Sequence, residues 1–229
     1  MTDPLLFVAA DPREFSGWVS LWEDVKPVCM AVNWARTGKW KGRRVAAIAN
    51  GAGADRAFAA VIMAGKISAV CSTGFCGALD DALDIGDVVV ATEIQAADRV
   101  WAALNPEGPD IARGRVASIN HVAQTAAEKR ELFAAGARIV EMEAAGVARA
   151  SEDLGVPFYC VRAVSDLADE DFANDFNAAL TPEGHFSVLR LVAGAFASPQ
   201  KRFSELLRLQ KRTALAAKNL GEFLADCNF

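Results

Sequence analysis

The sequence predicts a three-layer α/β/α domain on one central mixed β-sheet. Three observations carry this reading. Short apolar runs alternate with helical stretches through the first three quarters of the chain. The runs are apolar at nearly every position, the pattern of strands buried on both faces. The length of 229 residues, with 52% hydrophobic and 23% charged residues, suits one domain spanning 1–229 and excludes intrinsic disorder.

The elements follow in order. Residues 5–10 form an apolar strand stopped by Asp11-Pro12, and 13–22 read as a helix. A strand at 44–49 runs into Asn50-Gly51-Ala52-Gly53-Ala54, and 55–64 are helical. A strand at 67–71 is followed by Ser72-Thr73-Gly74-Phe75-Cys76-Gly77, read as a glycine turn. Residues 87–94 form the next strand. Two prolines and two glycines make 98–114 a loop. A strand at 115–119, a helix at 125–135, a short strand at 138–141 and a helix at 143–154 come next. Gly155-Val156-Pro157 turns the chain into the last strand, 158–164, which ends in Ser165-Asp166. Residues 186–197 and 199–227 read as two amphipathic helices, with packing preferred over lying on a membrane surface.

A net charge of −5 disfavours a nucleic-acid-binding surface. The uncharged stretch 67–79 has 13 residues, short of the roughly 20 needed to span a bilayer. The N-terminus lacks a secretory pattern. Five cysteines (29, 71, 76, 160 and 227) form no CxxC pair and are expected as buried reduced thiols. These points predict a cytoplasmic protein. Two histidines in all argue against a histidine-rich zinc site.

Four segments carry candidate chemistry. In Val140-Glu141-Met142-Glu143-Ala144, two carboxylates at a spacing of two face one side of an extended segment. They suit either capping of the next helix or hydrogen bonds from a sugar diol. Asp166 stands at the C-terminal end of a buried strand, where α/β folds place ligand chemistry, or caps the helix that follows. Glu14 follows another strand end and is either a base or a solvated first-turn acid. The glycines at 51, 53, 74 and 77 let the backbone approach a ligand. Arg56 stands where a dinucleotide fingerprint would need glycine, and no GxxxxGK[ST], GxSxG or HExxH motif is present.

Taken together and in this order, the four segments resemble the purine nucleoside phosphorylase and nucleosidase superfamily over about residues 4–170. The pattern is most similar to that of 5′-methylthioadenosine/S-adenosylhomocysteine nucleosidases. The resemblance implies a nucleoside phosphorylase-like fold, with residues 213–225 as its closing helix. It implies Glu14 as the activator of water and Asp166, of the Arg162-x-x-Ser165-Asp166 motif, as the acid toward nitrogen 7 of the base. Met142 and Glu143 would bind ribose. Gly53, Thr73, Gly74 and Phe75 would line the ribose and nucleophile site, and Val122 and Ser165 would meet the base. A small nucleoside is the implied partner, and a homodimer the implied assembly. No metal or organic cofactor is implied, phosphate being a co-substrate only for a phosphorylase.

The implied chemistry requires two carboxyls in different protonation states, with Asp166 the more shielded. Ser72 stands where phosphorylases of this family carry a phosphate-binding arginine, and Phe75 where they carry a hydroxyl. Both favour water over phosphate, although Arg13, Arg44, Arg56 or Arg99 could supply charge from elsewhere. The segment Ser118-Ile119-Asn120-His121-Val122 lacks the aromatic that nucleosidases place against the purine. An apolar insertion at about 176–212 resembles the extension of hopanoid-associated phosphorylase-like proteins, which are linked to adenosylhopane. Its plainer reading, preferred on sequence, is a subunit interface or extra core; its sharper reading is an apolar wall on the 5′ side. The tryptophans up to Trp40 are expected to pack rather than bind. Hydrolysis of a 5′-modified adenosine is the first reading, a phosphate-dependent phosphorylase the second, and a non-catalytic nucleoside-binding protein the third.

Overall fold

The computed structural model describes residues 3–195 and 199–229. Its strands are β1 (Leu5–Ala9), β2 (Glu23–Pro27), β3 (Trp34–Trp40), β4 (Arg43–Ala49), β5 (Ala69–Ala78), β6 (Val88–Ala96), β7 (Arg99–Ala102), β8 (Ala112–Ser118), β9 (Ile139–Glu141) and β10 (Phe158–Asp166). Its helices are α1 (Ala54–Ala64), α2 (Ala126–Ala134), α3 (Ala144–Leu154), α4 (Phe176–Ala179), α5 (Val188–Ala195) and α6 (Pro199–Asp226).

The strands form one mixed sheet in the order β10-β6-β8-β9-β5-β1-β4-β3-β2. β10 also pairs with β5, so β5, β10, β6, β8 and β9 close into a ring. Every β1 residue is buried, as a strand covered on both faces requires. Leu6 and Val8 pack into the cluster shared with α1 and α3, while Leu5, Phe7 and Ala9 pack into the cluster shared with α6. Each such Leu or Phe contributes about 1.5–3 kcal/mol of burial. The tryptophans do pack: Trp18 meets Phe7, Trp22 and Trp40 edge-on, and Trp34 stacks on Phe15. The five cysteines are free, with only Cys29 exposed. Among the described residues, no helix is long and apolar enough to cross a membrane.

Several elements differ from the sequence expectation. Residues 13–22 do not form an α-helix. They make two short 3₁₀ turns, Pro12–Phe15 and Val19–Leu21; an Asp11–Glu14 capping box starts the first, and between them Gly17 packs so closely on α6 that an added Cβ would stand 2.6 Å from the Ala217 carbonyl oxygen. The glycine turn at 72–77 is instead the second half of β5. Its neighbours hold it extended, with Thr73 opposite Val161, Gly74 opposite Arg162 and Gly77 opposite Val140. The expected loop at 98–114 contains β7, which folds back on β6, and the start of β8. Residues 23–43, unassigned from sequence, hold β2 and β3; β2 is exposed along its whole length and shows no apolar run. The expected helix at 186–197 is α5, and residues 196 and 197 lie outside the described ones. The second half of the apolar insertion and the closing helix are one continuous helix, α6.

Candidate active site

The C-terminal ends of β1, β5, β9 and β10 bring Glu14, Glu141, Glu143 and Asp166 to one cavity of about 500 Å³. All four carboxyls are buried, at 5%, 6%, 5% and 8% exposure.

Glu14 is held at both oxygens. The N–H of Phe75 donates to Oε1 at 2.7 Å and that of Asp11 to Oε2 at 2.7 Å. Burial pushes its carboxyl up, against the pull of those two donors and of Arg162. Gly74 has φ of +137°, and a side chain there would run into Glu14 Oε1. Gly77 has a similar duty: an added Cβ would stand 2.8 Å from Asp166 Oδ1. Glycine in β5 therefore makes room for two acids rather than for a turn.

Arg162, fully buried on β10, is the hub beneath these groups. It donates to the Thr73 carbonyl at 2.9 Å, to Ser72 Oγ at 2.7 Å and to Glu141. Its Nη1 lies 3.6 Å from Glu143 Oε2. The two glutamates of β9 and the α3 start thus converge, as their spacing predicts, but they divide the work. Glu141 Oε2 accepts the N–H groups of Glu143 at 2.9 Å and Ala144 at 2.8 Å, so it is the helix cap. Glu143 makes no side-chain cap; its Oε1 accepts the Gly53 N–H at 3.1 Å. Burial, with Glu141 beside it, raises the Glu143 carboxyl to about 8 despite Arg162.

Asp166 Oδ1 accepts from Lys129 Nζ at 2.5 Å, and Oδ2 lies 2.9 Å from the Ser165 hydroxyl. Burial pushes this carboxyl up, and the Lys129 ammonium pulls it back. Asp166 is not the more shielded acid, contrary to expectation: Glu14 is buried as deeply. Their partners distinguish them, two backbone N–H groups for one and an ammonium for the other.

Glu14, Phe75, Val122, Met142, Glu143, Ser165 and Asp166 line the cavity together. Thr73 does not; it is fully buried, and its hydroxyl has no partner among the described residues. Gly74 lies beneath Glu14. Gly53 lines a neighbouring open cavity of about 640 Å³, which shares Ala52, His121, Met142 and Gly184 with the first. Val122 has both main-chain groups bound by the Asn177 amide, at 2.7 and 3.0 Å. Sequence reasoning missed Lys129 and Asn177, which reach Asp166 and Val122 from elements distant in the chain.

The rest of the cavity is apolar. Phe172, Phe176, Phe186, Leu191, Leu206 and Leu209 line it, the three phenylalanines edge to face at 5.0 and 5.7 Å. Phe176, Phe186, Leu191, Leu206 and Leu209 of the insertion therefore form part of the cavity wall. Arg13, the arginine lining it, is committed to Asp11 at 2.8 and 2.9 Å.

The chain is similar in sequence and in fold to known proteins. A 5′-methylthioadenosine/S-adenosylhomocysteine nucleosidase of Shewanella denitrificans is 27% identical over 158 residues, covering 56% of this chain and 69% of that protein. The Staphylococcus aureus nucleosidase of the same name is 28% identical over 177 residues, covering 63% of this chain and 78% of its own. In fold, the chain is similar to that nucleosidase from S. pneumoniae, solved with a transition-state inhibitor (TM-score 0.74, 16% identity, 97% of each chain). It is equally similar to the futalosine hydrolase of Helicobacter pylori (TM-score 0.74, 17% identity, 99% of this chain and 97% of that one). The family model of the phosphorylase superfamily matches residues 7–100 and 94–192, so the chain belongs to that superfamily.

Proposed function

We propose that this protein is a nucleosidase that hydrolyses the N-glycosidic bond of a 5′-modified adenosine and releases adenine. The observation that carries the reading is the convergence of Glu14, Glu143 and Asp166 on one cavity that continues into an apolar wall. The sequence relatives named as nucleosidases support it.

In this reading Glu143 accepts hydrogen bonds from the ribose hydroxyls beside Met142. Glu14 takes a proton from the attacking water, whose oxygen bonds to the anomeric carbon as the bond to the base breaks. Asp166 gives a proton to nitrogen 7, so adenine leaves neutral. General acid–base help of this kind is worth roughly 10²–10⁴-fold per group. With its main-chain groups held by Asn177, Val122 meets the base through its side chain unless that amide moves aside.

Water is favoured over phosphate because Arg13 is paired with Asp11 and Arg162 is enclosed by Glu141 and Glu143. Arg44, Arg56 and Arg99 do not line the cavity. A phosphate dianion would meet the buried carboxyls of Glu14, Glu143 and Asp166, whose neighbouring cations Arg162 and Lys129 are already paired with acids. The aromatic and leucine wall suits a 5′ substituent from methylthio to a bulky hydrocarbon of the adenosylhopane kind. The proposed enzyme needs no cofactor and works as a cytoplasmic homodimer.

The test is adenine release by Glu14→Gln and Asp166→Asn. Each variant should bind nucleoside and lose roughly 10²-fold or more in kcat. Full activity in either variant would remove that residue from the mechanism.

A further inference from the structure

We propose that Lys129 is the positioning residue of the acid, a fixed cation that sets the orientation and charge of Asp166. This rests on the hydrolytic reading above.

Lysine is almost never fully buried unless paired, and Lys129 is 0% exposed. Its Nζ donates to Asp166 Oδ1 at 2.5 Å and to the Leu167 carbonyl at 2.6 Å, and lies 5.3 Å from the centre of the Phe172 ring. The helix that carries it is anchored for this purpose. Thr125 caps α2, Asp171 accepts the Ala126 N–H at 2.7 Å, and the Phe172 N–H donates to the Gln124 carbonyl at 2.9 Å. The start of α2 is thus tied to the loop that leaves β10.

The result is an acid with two unlike oxygens. Oδ1 is boxed between Lys129 and Gly77, so Oδ2, beside Ser165, is the one left for a base. The other charges facing Asp166 are arranged around this pair. Glu170, from the loop after β10, is clamped by Arg212 of α6 at 2.5 and 2.9 Å. The Cys76 thiol of β5 is pushed well up by burial and stays neutral. Lys129 is therefore the cation in direct contact with Asp166 among the described residues.

Asp166 gives its proton from Oδ2 to the departing base and becomes a carboxylate. Lys129 stabilises that carboxylate through its contact with Oδ1, and no covalent bond to it forms or breaks. Without the ammonium, burial and the Glu170 charge are opposed only by the Ser165 hydrogen bond, making Asp166 a weaker acid that holds its proton to higher pH.

The experiment compares wild type, Lys129→Met and Lys129→Gln in adenine release from 5′-methylthioadenosine across pH, with folding checked by thermal melting. Both variants should lose roughly tenfold or more in kcat while the alkaline limb of the profile moves to higher pH. A role confined to helix packing would lower the melting temperature and leave the limb in place, which overturns the proposal. If the methionine variant does not fold, the glutamine variant keeps the hydrogen bond without the charge and reads the same limb.

A titration of the Asp166 carboxyl carbon by NMR, in wild type and either folded variant, reads the same effect without turnover. A carboxyl that titrates higher once Lys129 is neutralised supports the proposal; an unmoved one refutes it. Failure of Asp166→Asn to affect turnover would count against the hydrolytic role of the acid, whereas an unmoved titration counts against Lys129 alone.

Discussion

Gly74 and Glu14 share one space: any side chain on Gly74 would occupy the position of the Glu14 carboxyl. The backbone there also has φ of +137°, a conformation that a Cβ disfavours. Gly74→Ala should therefore displace the carboxyl from the Phe75 N–H. A displacement near 1 Å costs about 10²-fold in rate. Steady-state kinetics should show kcat falling by that order, with a lower melting temperature. Wild-type kcat in this variant would show that Glu14 need not be held where it stands.

Arg162 is buried with Glu141 and Glu143 against it. Removing one partner of a buried pair leaves uncompensated charge and typically costs about 3–5 kcal/mol. Arg162→Met should lose stability on that scale in urea unfolding. A loss under about 1 kcal/mol would contradict the role of Arg162 as their buried counter-charge.

Stability should depend on pH with a definite sign. Burial raises the Glu143 carboxyl from 4.5 to about 8, so the folded chain holds a proton that the unfolded chain releases. Stability from this group is full below 4.5 and is lost as pH rises toward about 8. Glu14 and Asp166 are raised as well and act in the same direction. Glu143→Gln should flatten the fall in unfolding free energy between pH 5 and 8, measured against wild type in matched buffers. Parallel curves for the two proteins would contradict the assignment.

Leu206 and Leu209 line the apolar wall one helical turn apart. A charge on that wall must be desolvated against any hydrocarbon substituent. Leu209→Asp should raise KM for adenosines with long 5′ alkyl groups by roughly tenfold or more, with a smaller effect for methylthioadenosine. Equal changes for both substrates would place the 5′ group elsewhere.

Much of the fold was legible because burial on two faces leaves a plain pattern. The apolar runs of β1 and of β4 from Val45 are continuous, that of β10 is interrupted at Arg162, and Gly155 with φ of +64° ends α3 where its turn predicts. β2 lay beyond reach because an exposed edge strand needs no apolar residues. The extent of β5 was hidden because glycines that serve a close approach look like glycines that serve a turn. The acids were legible at strand ends, but their partners were not. Lys129 lies 37 residues from Asp166, and Asn177 lies 55 from Val122; no local pattern marks either pairing.

The most direct measurement is adenine release from 5′-methylthioadenosine in phosphate-free buffer and again with added phosphate. Free adenine and free 5-methylthioribose should appear at the same rate in both. Release only with phosphate, yielding a sugar 1-phosphate, would contradict hydrolysis and require a cation in the cavity that Arg13, paired with Asp11, does not supply.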